Sequence, residues 1–184
     1  MTPQTLDTPR FLDIALGEIN TKLKTKFSWL NEAFGRAERY TEKQDDKIIE
    51  YPAIYSSGNQ YIKLFPDNTI GNFSFVVSDD FEITERKFQS INGSSDIEFV
   101  FWFDFRAVYP NNFETRNVSN VIWDVMKFFN ETSFSNADLI VNAYYTQVDE
   151  IYKGFSHNEI KDQFSMRPYG CFKIKTKIHL KETC

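Results

Sequence analysis

Glycine, histidine and cysteine are all scarce in this chain. Seven Gly in 184 residues leave little for glycine-rich phosphate loops, and two His limit any catalytic or metal site built on imidazole. His157 sits in Ser156-His157-Asn158-Glu159 with no nucleophile elbow or oxyanion loop around it, so a surface or helix-cap role is expected. His179 falls in a strand-like run and is expected to face solvent. Neither His has a second ligand at metal-binding spacing. The two thiols, Cys171 and Cys184, flank the extended run Phe172 to Leu180. At roughly 3.3 Å per residue that run holds them far beyond the ~7 Å Cα separation of a disulfide. Both are expected free, as suits a reducing cytoplasm.

Long apolar runs are also lacking. The longest concentrated stretch, Phe99 to Phe103, is far short of the roughly 20 residues of a membrane helix, and no membrane association is expected. Met1 to Asn20 carries Asp7, Arg10, Asp13 and Glu18, which interrupt any secretory-signal core. The Asn-x-Ser/Thr triplets at Asn72, Asn92, Asn117 and Asn130 are therefore not read as glycan acceptors. An excess of positive charge is missing too. With 21 Lys and Arg against 26 Asp and Glu the net charge is -5, so no specific nucleic-acid binding is expected.

What is present is 41% hydrophobic and 26% charged residues, the profile of a globular chain of one domain, residues 1–184. Leu12, Leu16, Ile19, Leu23, Phe27 and Leu30 recur at helical spacing, with Thr8-Pro9 as the start signal. Thr25 to Ser28 is a break, and a second helix is expected over Trp29 to Tyr40, followed by a solvated loop at Glu42 to Lys47. Ile48 to Tyr55 and Gln60 to Phe65 read as a hairpin around Ser56-Ser57-Gly58-Asn59, the first strand at an edge or bulged because Pro52 lacks an N–H. Phe73 to Val77 reads as a strand, and Asp79 to Ser95 as a loop or excursion around Asn92-Gly93.

Ile97 to Tyr109 alternates most clearly, with Ile97, Phe99, Phe101, Phe103 and Phe105 on one face. A helix over Val118 to Phe129, capped by Asn117 or Thr115, is expected to lie on the sheet. Leu139 to Glu150 and Phe172 to Leu180 close the chain as strands, with a short helix near Asn158 to Gln163 between them. The class is α+β: a mostly antiparallel sheet with a long N-terminal helix and one internal helix packed on it.

Few residues suggest chemistry. Asp79, Asp80 and Glu82 cluster, as do Asp45 and Asp46, but neither group has the ligand ladder of a calcium loop. Cys171 has no basic neighbour in sequence to activate it. No catalytic residue, metal or cofactor is assigned. Of 19 Phe, most fall on core faces. Trp102 falls on the more polar face of its strand, where it is either an outward contact or covered by a second layer. Tyr144 and Tyr145 point to opposite faces, so at least one is a candidate contact. Lys173, Lys175, Lys177 and Lys181 form a row of positive charge. They are read either as a contact for an acidic partner subunit or a nucleic-acid backbone, or as protection of an exposed strand edge.

Three stretches carry a resemblance: Phe27 to Ala37, the region from Tyr51-Pro52-Ala53-Ile54-Tyr55 through Pro66-Asp67 to Gly71-Asn72-Phe73-Ser74-Phe75, and Arg167-Pro168-Tyr169-Gly170-Cys171-Phe172-Lys173-Ile174. Together they resemble an uncharacterised family found in prophage regions of Bacteroides-like bacteria. The element order also resembles tail-terminator and tail-completion proteins of long-tailed phages, whose helix-flanked antiparallel sheets assemble as rings. The resemblance implies a non-enzymatic structural protein that forms a homo-oligomeric ring, with a hexamer as the form to test for. It further implies docking to other tail or neck proteins, in the bacterial cytoplasm or in the virion. The alternative is a small-molecule or glycan binding module using outward aromatics. A small hydrolase or nuclease built on Asp79, Asp80 or His157 is a third reading.

Overall fold

A computed structural model describes residues 11–56, 60–78, 81–87, 90–160 and 162–183. In chain order its elements are α1 (Leu12–Lys26), β1 (Glu32–Arg36), β2 (Glu38–Gln44), β3 (Lys47–Ser56), β4 (Gln60–Lys63), β5 (Phe73–Ser78), β6 (Glu82–Lys87) and β7 (Ser90–Asp104). The single-turn α2 (Phe105–Val108), α3 (Val118–Glu131), β8 (Ala137–Tyr145), the single-turn α4 (Val148–Ile151) and β9 (Tyr169–Thr183) follow. One sheet runs β1-β5-β7-β9-β8 with β6 also on β7, and a second runs β2-β3-β4. All pairings are antiparallel except β1 with β5, so the chain is α+β with a mostly antiparallel sheet.

The alternation of β7 builds both cores. Ile97, Phe99, Phe101 and Phe103 face α1 and α3, which bury Leu16, Ile19, Leu23, Val121, Ile122, Val125 and Phe129 against them. Val100 and Trp102 face the other way and pack with Phe73 and Phe75 of β5, with Ile54 and Ile62 of the second sheet, and with Ile151, Tyr152, Ile160 and Phe164. The result is three layers: two helices, the larger sheet, and the smaller sheet with the segment 148–164. The α3 start is the one expected, as the Asn117 N–H donates to Asn120 Oδ1 at 3.1 Å.

Five expectations give way. The helix stops at Lys26, and no second helix forms over Trp29 to Tyr40; those residues enter β1 and β2. Spacing at 27, 30, 34 and 37 suits a short helix as well as strands, and tertiary pairing decides. Asn31 and Glu32 both donate N–H to Asn72 O, and Phe34 turns into the second core beside Phe73. The charged run at 42–47 is the end of a hairpin, with Asp45 and Asp46 at positive φ of 47° and 62° forming the turn. β3 is the middle strand of its sheet and not an edge, with Pro52 opposite Arg39 and its carbonyl accepting from Leu64 N. The polar stretch before Ile97 is paired as β6 and the start of β7. There Gly93 is paired within β7, and it must be glycine because a Cβ would lie 2.1 Å from the Phe81 ring. The Ile97 strand also ends early, at Asp104, whose carboxylate caps the turn by accepting from Arg106 N. The turn at 57–59, Thr8-Pro9 and Cys184 lie outside the described residues.

Asn72 ties these pieces together. It is buried, donates through Nδ2 to Trp29 O, accepts at Oδ1 from Asp104 N, and donates its own N–H to Asn31 Oδ1. One side chain thus joins the end of α1, the start of β5 and the end of β7. Asn72→Ala leaves a buried N–H and carbonyl unpaired and is expected to cost about 2–3 kcal/mol, read as a lower urea midpoint at unchanged m-value.

Candidate functional site

The residues singled out from sequence separate by environment. Trp102 is 1% exposed. Its Nε1 donates to Phe164 O at 3.0 Å, and its ring stacks on Tyr169 with centroids 5.1 Å apart. The second layer covers that face of the sheet, so Trp102 is a core residue and not a contact anchor. The feature that made it look outward, polar neighbours at Glu98 and Asp104 on the same face, marks only the rim of the second core.

The lysine row is altered as well. β9 lies between β7 and β8 from Lys173 to Leu180, so Lys173, Lys175 and Lys177 protect no edge. The Lys173 side chain is 4% exposed, with Nζ 2.9 Å from Glu98 Oε2 and 5.2 Å from the centre of the Tyr145 ring. Lys175 Nζ lies 3.9 Å from Asp96 Oδ2. Glu98 is in register with Lys175 and Asp96 with Lys177, so these ion pairs run diagonally across adjacent strands. An acidic column on β7 therefore meets the basic row on β9, and two of its cations are partnered within the chain. Lys177 is half-buried farther along the same face, and the side chain of Lys181 lies outside the described residues. His179 is exposed, as expected.

Of the two tyrosines, Tyr145 is half-buried under Lys173, whereas Tyr144 is 53% exposed. Tyr144 stands on β8, the outer strand of the larger sheet, together with exposed Ile140. Among the described residues no strand pairs with the free side of β8, which has no lysine or proline to discourage pairing but carries Asp138 and a bulge between Val141 and Ala143.

Sequence reading missed a second exposed feature. β4 pairs with β3 only at Ala53 to Ser56 and Glu42 reaches back to Lys63, so the end of the β2–β3 hairpin, Lys43 to Ile48, projects as a two-stranded arm. Its base is held by Ser156, which donates N–H to Glu50 O at 2.7 Å and accepts from Glu50 N at Oγ. Near its tip Ile48 is 70% exposed. The signal was the adjacent pair Asp45-Asp46, a two-residue turn hidden inside a charged run.

Groups with chemical potential are few and scattered. Among the described residues no three His, Cys, Asp or Glu side chains are placed to hold a metal ion. Asp79 and Asp80 lie outside the described residues, and His157 is half-buried in a single 3-10 turn. Cys171 is a free thiol whose pKa burial pushes up to about 11, which keeps it protonated and a poor nucleophile at neutral pH. Burial also raises the pKa of the Tyr152 phenol, whose hydroxyl has no hydrogen-bond partner among the described residues. No described helix is long and apolar enough to cross a membrane. Compared with family models and with curated proteins, the chain matches none.

Two outcomes test these placements. Trp102→Ala is expected to destabilise the fold by about 3–5 kcal/mol in chemical denaturation, the cost of a large core cavity. Glu98→Leu strands the Lys173 ammonium and is expected to cost about 2–3 kcal/mol, less than a fully buried pair because Glu98 keeps some water. Adding Lys173→Met to Glu98→Leu is expected to recover part of that loss, which a double-mutant cycle reads directly.

Proposed function

We propose that this protein is a non-enzymatic structural component of a phage-type tail, working by contacts between its own copies and with other tail or neck proteins. The observation that carries the reading is the projecting β2–β3 arm with Ile48 exposed near its end. A two-stranded ribbon is marginally stable alone, and an exposed isoleucine on it gains only when another surface covers it. The outer strand β8, exposing Ile140 on one face of the sheet and Tyr144 on the other, offers a second contact region at the edge of the same molecule. Two different surfaces on one chain suit head-to-tail contacts, which close into a ring when the rotation between copies permits. The resemblance of the element order to tail-terminator and tail-completion proteins supports the same reading, with a hexamer as the closure to look for.

Light scattering of the purified protein over a wide concentration range tests it. A discrete closed oligomer is expected, reduced to monomer by Ile48→Asp and by Tyr144→Asp with circular dichroism and thermal midpoint unchanged. A protein that stays monomeric throughout, or variants that assemble like the native chain, removes the reading.

A further inference from the structure

The outer face of the smaller sheet, opposite the one carrying Ile54 and Ile62, bears Tyr40 on β2, Tyr51 and Tyr55 on β3, and Tyr61 and Lys63 on β4. Ala53 lies at its centre, in register with Glu38 on one side and Lys63 on the other. Because Ala53 ends at Cβ, the rings of Tyr40 and Tyr61 meet across it, with centroids 4.8 Å apart and planes inclined at 42°. Tyr55 stands edge-on to Tyr61 at 5.4 Å and 72°.

The chain already holds one cation on this face. Lys63 Nζ lies 4.4 Å from the centre of the Tyr51 ring and is hydrogen-bonded to Glu42, an arrangement that raises the Lys63 pKa and lowers that of Glu42. Glu38, two residues before Tyr40 on the same face, repeats the other half of that arrangement. It accepts a hydrogen bond from Tyr61 Oη at 3.3 Å, and its charge is the main cause that pushes the Tyr61 phenol above its ordinary pKa. Glu38 makes no ion pair with a cation of the chain among the described residues, while Lys63 is turned to Glu42. The face therefore holds two carboxylates against one ammonium, on a molecule of net charge -5.

We propose that Glu38, Tyr40, Tyr55 and Tyr61 form a site for an arginine side chain presented by a partner protein. Carboxylate and tilted ring faces together are the recognition chemistry of a guanidinium, which pairs with the carboxylate and lies over an aromatic face. The Glu38 carboxylate, hydrogen-bonded to Tyr61 and with no ion pair to a cation of the chain among the described residues, favours a cation over a neutral saccharide. Tyr61 is 38% exposed and Glu38 is exposed, so both are open to such a partner. This site is independent of the contacts proposed for Ile48 and Tyr144.

The test uses the whole protein and three probes, with tyrosine ring resonances followed by NMR: acetyl-Gly-Arg-Gly-Arg-Gly-amide, the same peptide with citrulline for arginine, and cellopentaose. The arginine peptide is expected to shift Tyr40, Tyr55 and Tyr61, to weaken as salt is raised, and to bind about tenfold more tightly than the citrulline peptide, the equivalent of about 1.4 kcal/mol. Glu38→Gln, a surface change that keeps shape, is expected to abolish that preference, whereas Tyr61→Phe keeps the ring and retains it. Equal binding of the two peptides, no shift with either, an arginine preference that survives Glu38→Gln, or shifts of the same rings by cellopentaose each overturns the proposal.

Discussion

The pairing of β7 with β9 is the constraint on which the other elements depend. It runs in continuous register from Ser90 opposite Thr183 to Asp104 opposite Tyr169, and each strand has 15 residues. Side chains alternate along both strands, so a single register sends Phe99, Phe101, Phe172 and Ile174 to the helices and Val100, Trp102, Cys171 and Lys173 to the second layer. A slip of one residue would exchange the two sets and place Lys173 and Glu98 among phenylalanines. The close stacking of Phe101 on Phe172, centroids 4.8 Å apart, belongs to this register and to no neighbouring one.

That register also explains why a basic row is compatible with a buried strand. Lys173 enters the covered part of the sheet with Glu98 as its diagonal partner and Tyr145 beneath its ammonium, so its charge is met where water is excluded. Farther along the same strand the second layer stops, and Lys175 and Lys177 stand half-exposed beside Asp96. The boundary between buried and open sheet is thus set by the reach of the segment 148–164 and the smaller sheet. It leaves the molecule's outward features at its margins: the arm, the β8 edge and the tyrosine face.

Much of the fold was legible in local pattern. The periodicity of α1 and α3 and the alternation of Ile97 to Phe103 each report a side-chain repeat that one layer of packing is enough to satisfy. The misread parts are those where a distant residue decides. Phe34 has helical spacing with Phe27 and Leu30, yet the Asn72 carbonyl and the parallel partner β5 draw it into a strand. Gly93 follows Asn92, a turn signal, yet pairing with Ile83 on one side and Leu180 on the other keeps it within β7, and the Phe81 ring takes the space a side chain would need. For the site, Tyr144 was found because adjacent strand residues must point apart. The choice between the two readings of Trp102 stayed open, and Ile48 and the Tyr40–Tyr61 contact were not found, because exposure depends on which layer lies above a face.

Residue order alone determined the α+β composition, both helix faces, the central aromatic strand, and the lack of a long apolar span. These follow from chain-local rules: a helix repeats near 3.6 residues and a strand at 2, whatever surrounds them. Only the tertiary structure decided that the lysine row is central and partly neutralised, that Trp102 is core, that the charged run at 42–47 is a projecting arm, and that Glu38 stands beside tilted tyrosines. Each depends on the neighbour across a sheet or between layers, brought there by packing between residues far apart in the chain, and no local pattern encodes that neighbour.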